Sequence, residues 1–547
     1  MKAITLFVSL ITIGINLQAQ TFSGFKYLSG VGGGAGAANG IASDVDGNFF
    51  IAGEFENVID ADPGEGTHIL TSNGYYDAFI AKFNSSGELV WAKSMGEEDD
   101  DRAYSIEVDQ EGNIYTLGYF QGTMDFDPGA GIFNMTAGGT SDLFLAKLDK
   151  DGNFIWAKQI RGVSSGPTVG ASIRRNRTLI IDSLSNPIIV GSFYGTTDLD
   201  PSASVHTLTA TGFMDVFILK LNSEGDYQWA KQLGGTGLAD GYSGAADKDN
   251  NVYIAGLFQG TVDFDPGNNS FEMTADGIGS SGNEGYLVKL DASGNLVWAK
   301  QMGGISEVMV LDPSGNNVYV SGIFVETVDV NPGTDVFTLT AKNADVFTTK
   351  LTAEGNFVWS KQIKGTLSSS TFTYDLGVDY NSNVYILGMA NSTVDFDPGT
   401  EIYNSTGSFI SKLNSDGNFV YVNSYDTWIY VKMEIHKSGK FYLAGSNGRI
   451  FISGDFPIVN NVLQSQSFKN SIYPNPAIDK VTIEISGSDQ EEMEIAIFNS
   501  LGVLVKKNYL SGYVNSMSIE DLADGIYFYQ ILSKGTSIHE GKIVVRK

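Results

Sequence analysis

Cysteine is absent from all 547 residues, and this absence excludes several classes of protein at once. No disulfide can stabilise the fold, and neither a thiol nucleophile nor a cysteine-ligated metal site is possible. A lipid anchor attached through a cysteine after a signal peptide, as in bacterial lipoproteins, is excluded as well. The fold must therefore depend on its hydrophobic core.

Basic residues and histidine are scarce. The chain holds 34 Lys and Arg against 63 Asp and Glu, a net charge of −29, which argues against nucleic acid and anionic membranes as partners. Four histidines are present, and they show no zinc-ligand spacing. His68 and His206 occupy a repeat position that is aromatic elsewhere, which predicts a packing role. The sequence also lacks a G-x-S-x-G elbow and a phosphate-binding glycine loop.

Long hydrophobic runs are missing beyond the first twenty residues. "MKAITLFVSLITIGINLQAQ" (1–20) combines Lys2, an apolar run and small residues near Ala19, which predicts a secretory signal peptide cleaved near Ala19 or Gln20. No later stretch is apolar enough to span a bilayer. We therefore expect an exported chain without a transmembrane segment.

Helical periodicity is almost absent, whereas one pattern recurs six times. Each copy holds an acidic turn such as "GTVDFDPG" (260–267), a strand such as "FLAKL" (144–148) and a strand such as "FIWAK" (154–158), and copies follow 65 to 73 residues apart. The runs alternate with period two and are separated by Asp/Asn-x-x-Gly turns, which predicts four β-strands per repeat. The repeated tryptophan is the expected filler between neighbouring repeats.

A four-stranded unit cannot bury both of its faces alone, so we expect an all-β fold in which the units form a β-propeller over 21–456. The segment 431–454 supplies three strands and lacks the "WAK" strand, whereas "SGFKYLSGVGG" (23–33) resembles that missing strand. Pairing the two predicts seven blades, and six blades is the alternative. The blocks "DFDPG", "LTA", "FLAKLD" and "FIWAKQIRG" resemble the bacterial propeller repeats of the SBBP type over about 40–455, a family that is uninformative about activity.

Composition changes after residue 456. A linker over 457–470 precedes alternating strands with Pro and Gly punctuation over 471–547, which predict a small Ig-like β-sandwich. "IFNSLG" (497–502), "LADGIYFYQI" (522–531) and the terminal "KIVVRK" resemble the type A C-terminal sorting domain of the type IX secretion system of Bacteroidetes. The residues that carry this motif are Pro474, Asn475, Pro476, Gly502, Gly525 and Lys547.

That resemblance implies export to the periplasm, passage through the type IX translocon and removal of the domain by a sortase-like protease. The mature protein would then be attached to surface lipopolysaccharide or released. An ordinary accessory sandwich is the alternative interpretation.

The acidic turns have two interpretations. Carboxylates are ligands that Ca²⁺ prefers, so paired aspartates could form calcium sites. The alternative is turn chemistry, in which Asp caps the turn, Pro restricts φ and Gly takes the strained position. The fifth copy has Asp329 with Asn331, which weakens a calcium site there. The calcium candidates are Asp60, Asp62, Asp125, Asp127, Asp198, Asp200, Asp263, Asp265, Asp395 and Asp397.

The sequence therefore predicts a secreted or surface-displayed, non-catalytic binding or adhesion protein whose ligand is a glycan or a protein. An exported polysaccharide-active enzyme, a glycosidase or lyase, is the alternative, and an architectural protein is the third possibility. A central funnel lined by carboxylates of raised pKa would favour the enzyme. Arg174, Arg175 and Arg177 form a local basic cluster, expected as a solvated patch paired with neighbouring residues, and the alternative is a clamp for a ligand carboxylate or a polyanion.

Overall fold

The computed structural model divides the chain into two compact units, Met1–Val459 and Asn460–Lys547. It describes residues 25–27, 29–161, 171–173, 177–275, 282–366, 369–425, 431–445, 449–453, 471–473, 477–484, 493–499, 503–510, 514–533 and 536–547. The predicted signal peptide and the predicted linker lie outside these residues. The described residues contain strands and no helix, as the sequence predicts, and accordingly no helix among them is long and apolar enough to cross a membrane.

The described part of the first unit contains seven antiparallel sheets of four principal strands, which we number in chain order. Sheet 1 consists of Ser29–Ser43, Phe49–Asp60, Asp77–Phe83 and Leu89–Met95. Sheet 2 consists of Arg102–Val108, Ile114–Phe120, Asp142–Leu148 and Phe154–Ile160. Sheet 3 consists of Leu179–Ile181, Pro187–Phe193, Asp215–Leu221 and Tyr227–Gly235. The additional strands Ile69–Thr71 and Ala171–Ser172 pair with the second strands of sheets 1 and 3.

Sheets 4 to 6 repeat the same order. Sheet 4 consists of Leu238–Ala246, Val252–Gln259, Glu284–Leu290 and Leu296–Met302. Sheet 5 consists of Ile305–Leu311, Asn317–Asp329, Thr338–Thr352 and Phe357–Ile363. Sheet 6 consists of Thr371–Val378, Val384–Asp395, Asn404–Leu413 and Phe419–Tyr425. A hairpin carrying the acidic turn separates the second strand from the third in every sheet from 1 to 6. Three of these acidic hairpins form short strand pairs of their own: Thr123–Asp125 with Asn134–Thr136, Thr196–Asp198 with Thr207–Thr209, and Thr261–Asp263 with Glu272–Thr274. The last of them also pairs, through Thr261–Asp263, with the fourth strand of sheet 3.

Sheet 7 combines both ends of the unit. Its first three strands are Val431–Ile435, Phe441–Gly445 and Arg449–Ser453, and its fourth is Phe25–Tyr27, which pairs antiparallel with the third. The predicted pairing of the amino-terminal segment with the incomplete last repeat is therefore confirmed.

Neighbouring sheets pack on one another through seven hydrophobic cores, and each core takes its residues from two consecutive sheets. The last sheet also packs on the first. The rings of Phe49 and Tyr442 stack with centroids 4.7 Å apart, and the Tyr442 hydroxyl donates to the Gly47 carbonyl at 2.7 Å. The first strands of all seven sheets contact one another in the same cyclic order. Each sheet thus buries its two faces against two neighbours.

The repeated tryptophans lie at these interfaces, but they are half-buried rather than fully enclosed. The indole N–H of Trp156 donates to the Ser223 carbonyl at 3.2 Å, in the turn between the third and fourth strands of the next sheet. Trp298 and Trp359 make the equivalent bond to Ala353 and Ser415, both at 3.2 Å. The tryptophan therefore joins sheets by a hydrogen bond as well as by apolar contact.

The second unit contains two sheets in its described part. Their strands are Ser471–Tyr473, Lys480–Glu484 and Val514–Ser518 in one, and Met493–Phe498, Leu504–Leu510, Gly525–Ser533 and Thr536–Val545 in the other. Val481 and Met517 of the first sheet share one core with Ile495, Tyr529 and Ile543 of the second. Two sheets on a common core agree with the predicted sandwich, and the Ig-like connectivity stays a prediction.

The turn glycine beside each tryptophan allows a test of the interface. Gly225 has φ +79, and a Cβ there would lie 2.5 Å from Lys158 Cε and 3.2 Å from Trp156 Cε2, whereas Gly439 has φ +83 and open space around it. Alanine at either position costs about 1–2 kcal/mol because of the positive φ. We expect Gly225→Ala to lower the free energy of unfolding in urea by about 1 kcal/mol more than Gly439→Ala, since the added methyl group also displaces the Lys158 and Trp156 side chains of the preceding sheet. Equal losses would contradict the interface contact.

Candidate functional site

A pocket of about 390 Å³ lies among the first strands of sheets 2 to 5. Glu107 and Arg177 line it, together with segments 179–181, 244–248 and 309–315. We call this the first-strand pocket. It is of the size that binds small organic molecules in proteins. Glu107 and Arg177 also line a smaller neighbouring cavity beside Asp375.

Arg177 is paired with neighbouring residues, as the sequence predicts, but its side chain is 26% exposed and lies in a largely buried network rather than in a solvated patch. Its Nε lies 3.3 Å from Asp375 Oδ1 in sheet 6, and its Nη2 donates to the Met433 carbonyl at 3.0 Å in sheet 7. Burial lowers the pKa of Arg177, but the carboxylates of Asp375, Glu434 and Glu107 raise it more. The guanidinium is therefore charged and already engaged. Arg174 and Arg175 lie outside the described residues.

Both oxygens of Asp375 are occupied. Oδ1 accepts from the Leu376 backbone N–H at 2.9 Å as well as from Arg177, and Oδ2 accepts from the Met433 N–H at 2.9 Å. The Glu434 carboxylate accepts from the Ser43 hydroxyl at 2.8 Å. These two acids therefore hold the first strands of sheets 1, 6 and 7 together.

Glu107 differs from them, because no described residue forms a hydrogen bond or ion pair with its carboxylate. Burial raises its pKa to about 8; Arg177 lowers the value, and Glu434 and Asp375 raise it further. Burial also raises the pKa of Glu307, in sheet 5, to about 7, and the Thr373 backbone N–H opposes this shift. Near neutral pH, Glu107 is thus mostly a neutral acid that can donate a hydrogen bond to a ligand, or lose its proton to solvent when a cationic group binds beside it.

Sequence reasoning missed these acids, although a signal was present. Glu107 stands two residues before the turn between the first and second strands of its sheet. Five of the seven sheets have an apolar or small residue at this position: Ala42, Ile180, Ala245, Val310 and Gly377. Only Glu107 and Glu434 depart from the pattern, and comparing the repeats would have found them.

The acidic hairpins have one geometry in all six copies. In the second, Asp125 Oδ1 accepts from the backbone N–H of Asp127 at 3.0 Å and of Phe133 at 2.8 Å, and Asp127 Oδ1 accepts from that of Gly129 at 2.8 Å. In the fifth, Asn331 accepts the last bond in place of an aspartate, at 2.9 Å. The remaining calcium candidates make the same bonds: Asp60 with Asp62, Asp198 with Asp200, Asp263 with Asp265 and Asp395 with Asp397. One oxygen of every candidate is thus used by the turn.

Among the described residues, no group of three or more His, Asp or Glu side chains lies close enough to hold a metal ion. Calcium binding at the acidic hairpins stays a prediction. The hairpins lie against the fourth strand of their own sheet, where the rings of Phe133 and Phe154 are 5.0 Å apart and those of His206 and Tyr227 are 4.9 Å apart. His68 contacts the Ala92 carbonyl at 3.0 Å through Nε2. The predicted packing role is thus confirmed for His206, whereas His68 is held by a polar contact to the fourth strand of its sheet.

The lysine of the third strand pairs with an aspartate of the turn between the first and second strands of its own sheet. Lys220 Nζ lies 2.7 Å from Asp182 Oδ2, and Lys289 Nζ lies 3.5 Å from Asp247 Oδ2. This turn and the acidic hairpin lie at opposite ends of the sheet, so these lysines do not pair with the acidic hairpins.

The sorting-motif residues are only partly described. Pro474, Asn475, Pro476 and Gly502 lie outside the described residues. Gly525 pairs with Val545 across the last two strands, and the Lys547 backbone N–H donates to Asp524 Oδ1 at 2.9 Å. The end of the chain is thus fixed beside Gly525.

Two family models match the chain. Residues 358–395 match the β-propeller repeat SBBP, and residues 471–546 match the secretion system C-terminal sorting domain. The chain carries a propeller repeat and a secretion sorting domain. Both resemblances inferred from the sequence are confirmed, and the sorting domain implies secretion or a cell-surface location.

Individual relatives are more distant. An uncharacterized WD repeat-containing protein, L264, of Acanthamoeba polyphaga mimivirus is 25% identical over 437 residues, which are 69% of this chain and 31% of the relative. The chain thus spans less than a third of that protein's length. Solved structures that match include the Dos1 propeller, with TM-score 0.36, 10% identity and coverage of 78% of this chain and 94% of the other. The WD40 β-propeller domain of Doa1 matches with TM-score 0.36, 8% identity and coverage of 80% and 99%.

The raised pKa of Glu107 predicts a pH-dependent stability. The folded chain retains this proton where the unfolded chain, with the ordinary value of 4.5, has lost it. Its stabilising contribution is therefore complete below pH 4.5 and is lost as the pH rises towards 8. We expect Glu107→Gln to raise the free energy of unfolding by about 1–3 kcal/mol at pH 8, relative to the unsubstituted chain, and to change it little at pH 5.

Urea unfolding at the two pH values measures this difference. The exposed Glu111→Gln, in the turn of the same sheet, is the matched control and should leave the pH dependence unchanged. A pH-independent effect of Glu107→Gln would contradict the burial of its charge.

The hairpin geometry predicts which substitutions an acidic turn tolerates. Asp265→Asn keeps the oxygen that accepts the Gly267 N–H, as Asn331 does naturally, whereas Asp265→Ala removes it and should cost about 1 kcal/mol. We expect the melting temperature to fall for alanine only, and to be unaffected by millimolar Ca²⁺ in all three proteins. A rise with Ca²⁺ that Asp265→Asn diminishes would support the calcium interpretation instead.

Proposed function

We propose that this chain is a secreted, non-catalytic binding or adhesion protein, displayed at or released from the surface of a Bacteroidetes-type bacterium through type IX secretion. The sorting-domain match and the signal peptide expected over 1–20 support the export route. The partners of that route are the type IX translocon and a sortase-like protease. The observation that carries the binding role is the first-strand pocket, which holds one carboxylate without a partner among the described residues.

The proposal includes a closed propeller of seven blades over 21–456, joined by 457–470 to a sorting domain over 471–547. The seven cores between consecutive sheets and the contact of sheet 7 with sheet 1 support seven blades. Six blades would leave one four-stranded sheet outside the ring, with an apolar face unburied.

An exported glycosidase is the second candidate, because the pKa of Glu107, about 8, is that of an acid able to protonate a leaving group. Such enzymes need a second carboxylate as nucleophile or base, about 5–9.5 Å from the acid. Asp375 accepts bonds from two backbone amides and Arg177, and Glu434 accepts one from Ser43. Both carboxylates near Glu107 are thus engaged in hydrogen bonds, and neither is free to act as the nucleophile or base. This arrangement favours ligand binding over hydrolysis.

Incubation of the full chain with a panel of insoluble polysaccharides separates the candidates. Binding predicts that at least one polysaccharide retains the chain without the appearance of new reducing ends. Release of soluble sugar, abolished by Glu107→Gln, would support the glycosidase. Neither retention nor release from any polysaccharide, together with no capture of surface proteins of neighbouring cells, would overturn the binding role in favour of an architectural one.

A further inference from the structure

Glu107 stands where the repeat places a residue of an inter-sheet core. Its counterparts Ala42, Ile180 and Val310 are buried in the cores that their sheets form with the following sheet. The other acidic exception, Glu434, is satisfied by Ser43. A carboxylate without a partner at such a position costs stability. Folding therefore does not explain Glu107, since a smaller apolar residue serves at the same position in other sheets.

The surroundings of Glu107 specify the charge of a ligand. On one side it faces Arg177, which Asp375 and Met433 engage, and the carboxylates of Asp375 and Glu434. An anion in the pocket would meet these acids, whereas a cation beside Glu107 would meet a carboxylate that forms no hydrogen bond or ion pair with any described residue. A charge-assisted hydrogen bond to such a cation is strong in a buried site.

The other walls of the pocket specify the shape of the ligand. Leu179, Ile180 and Met309 supply apolar lining, and all three are buried. Two acids that line the pocket are held in turns, Asp247 by Asn251 and Asp312 by Asn317. Lys248, which also lines the pocket, is exposed and extends beside Asp249. A cationic group on a short apolar stem fits this arrangement, with the stem against the apolar wall and the charge at Glu107.

We propose that the first-strand pocket binds a small organic cation, an ammonium or guanidinium group on an aliphatic stem, with Glu107 as its counter-ion. On binding, the Glu107 carboxyl loses its proton to solvent and the carboxylate accepts hydrogen bonds from the cation. This inference rests on the proposed binding function and names its ligand class. Since the free protein holds the Glu107 proton below about pH 8, affinity should rise about tenfold from pH 6 to pH 7 and level off near pH 8.

Calorimetric titration of the full chain with n-butylguanidinium tests the proposal, and n-butylurea is the uncharged control of nearly the same shape. We expect saturable binding of the guanidinium and none of the urea. Titrations in two buffers of different ionisation enthalpy should show release of about one proton per ligand at pH 6.5. Equal binding of both compounds, no saturable guanidinium binding at pH 8, or an affinity independent of pH would overturn the proposal.

Substitutions separate a binding role from a structural one. Glu107→Val introduces the residue that sheet 5 has at the equivalent position, Val310. It should raise the melting temperature and abolish guanidinium binding. Glu107→Gln should weaken guanidinium binding at least tenfold at pH 8. Glu111→Gln should leave the affinity unchanged. Unchanged affinity in either Glu107 variant would overturn the proposal.

The two proposals can fail separately. Guanidinium binding without retention on any polysaccharide or cell-surface protein overturns the binding role of the whole protein and leaves this site intact. Retention that persists while the pocket takes up no cation overturns the site alone.

Discussion

Apolar packing between consecutive sheets is the constraint on which the first unit depends. A four-stranded sheet with two apolar faces cannot exist alone in water, and each sheet here shares one core with the sheet before it and one with the sheet after it. The same rule applies to sheet 7, whose Tyr442 and Ala444 lie in a core with Phe49 and Ile51 of sheet 1. The chain has no disulfides, and the described residues contain no group of side chains able to hold a metal ion. Non-covalent packing therefore keeps the sheets in order.

Polar groups at the edges of these cores refine the packing. The tryptophan of one sheet donates to the turn of the next, and the third-strand lysine pairs with an aspartate of the turn between the first and second strands of its own sheet. These bonds are repeated in several sheets, so they belong to the scaffold. Glu107 is not repeated in this way. It has no partner among the described residues, and its proton is retained at a cost in stability, which is the behaviour expected of a functional group on a structural frame.

The sequence predicts much of the scaffold because the scaffold is local and repeated. Asp109 and Gly112 predict their turn from four consecutive residues, and the turn forms with the Asp109 carboxylate accepting from the Asn113 N–H at 2.9 Å and with φ +85 at Gly112. The amino-terminal strand could be placed because its pattern matched the strand that the last repeat lacks.

The candidate site could not be predicted in the same way, because its members come from separate repeats. Arg177 meets Asp375 across 198 positions of the chain and Met433 across 256, and no spacing rule connects such residues. The burial that raises the pKa of Glu107 exists only after the sheets have packed, since Glu107 shares its pocket with residues of sheets 3, 4 and 5. Position within the repeat was the one usable signal, since it marks Glu107 as an acid among apolar counterparts.

Closure of the first unit by its amino-terminal strand is the central claim, and the absence of cysteine makes it directly measurable. The strand Phe25–Tyr27 pairs antiparallel with Arg449–Ser453, and Lys26 lies opposite Ile450. Ser453 lies three residues beyond Ile450 in that second strand. Oxidation of Lys26→Cys combined with Ile450→Cys should form an intramolecular disulfide that increases mobility in a denaturing gel and raises the melting temperature, while Lys26→Cys with Ser453→Cys should remain reduced. Equal cross-linking of the two pairs, or none in either, would contradict the account.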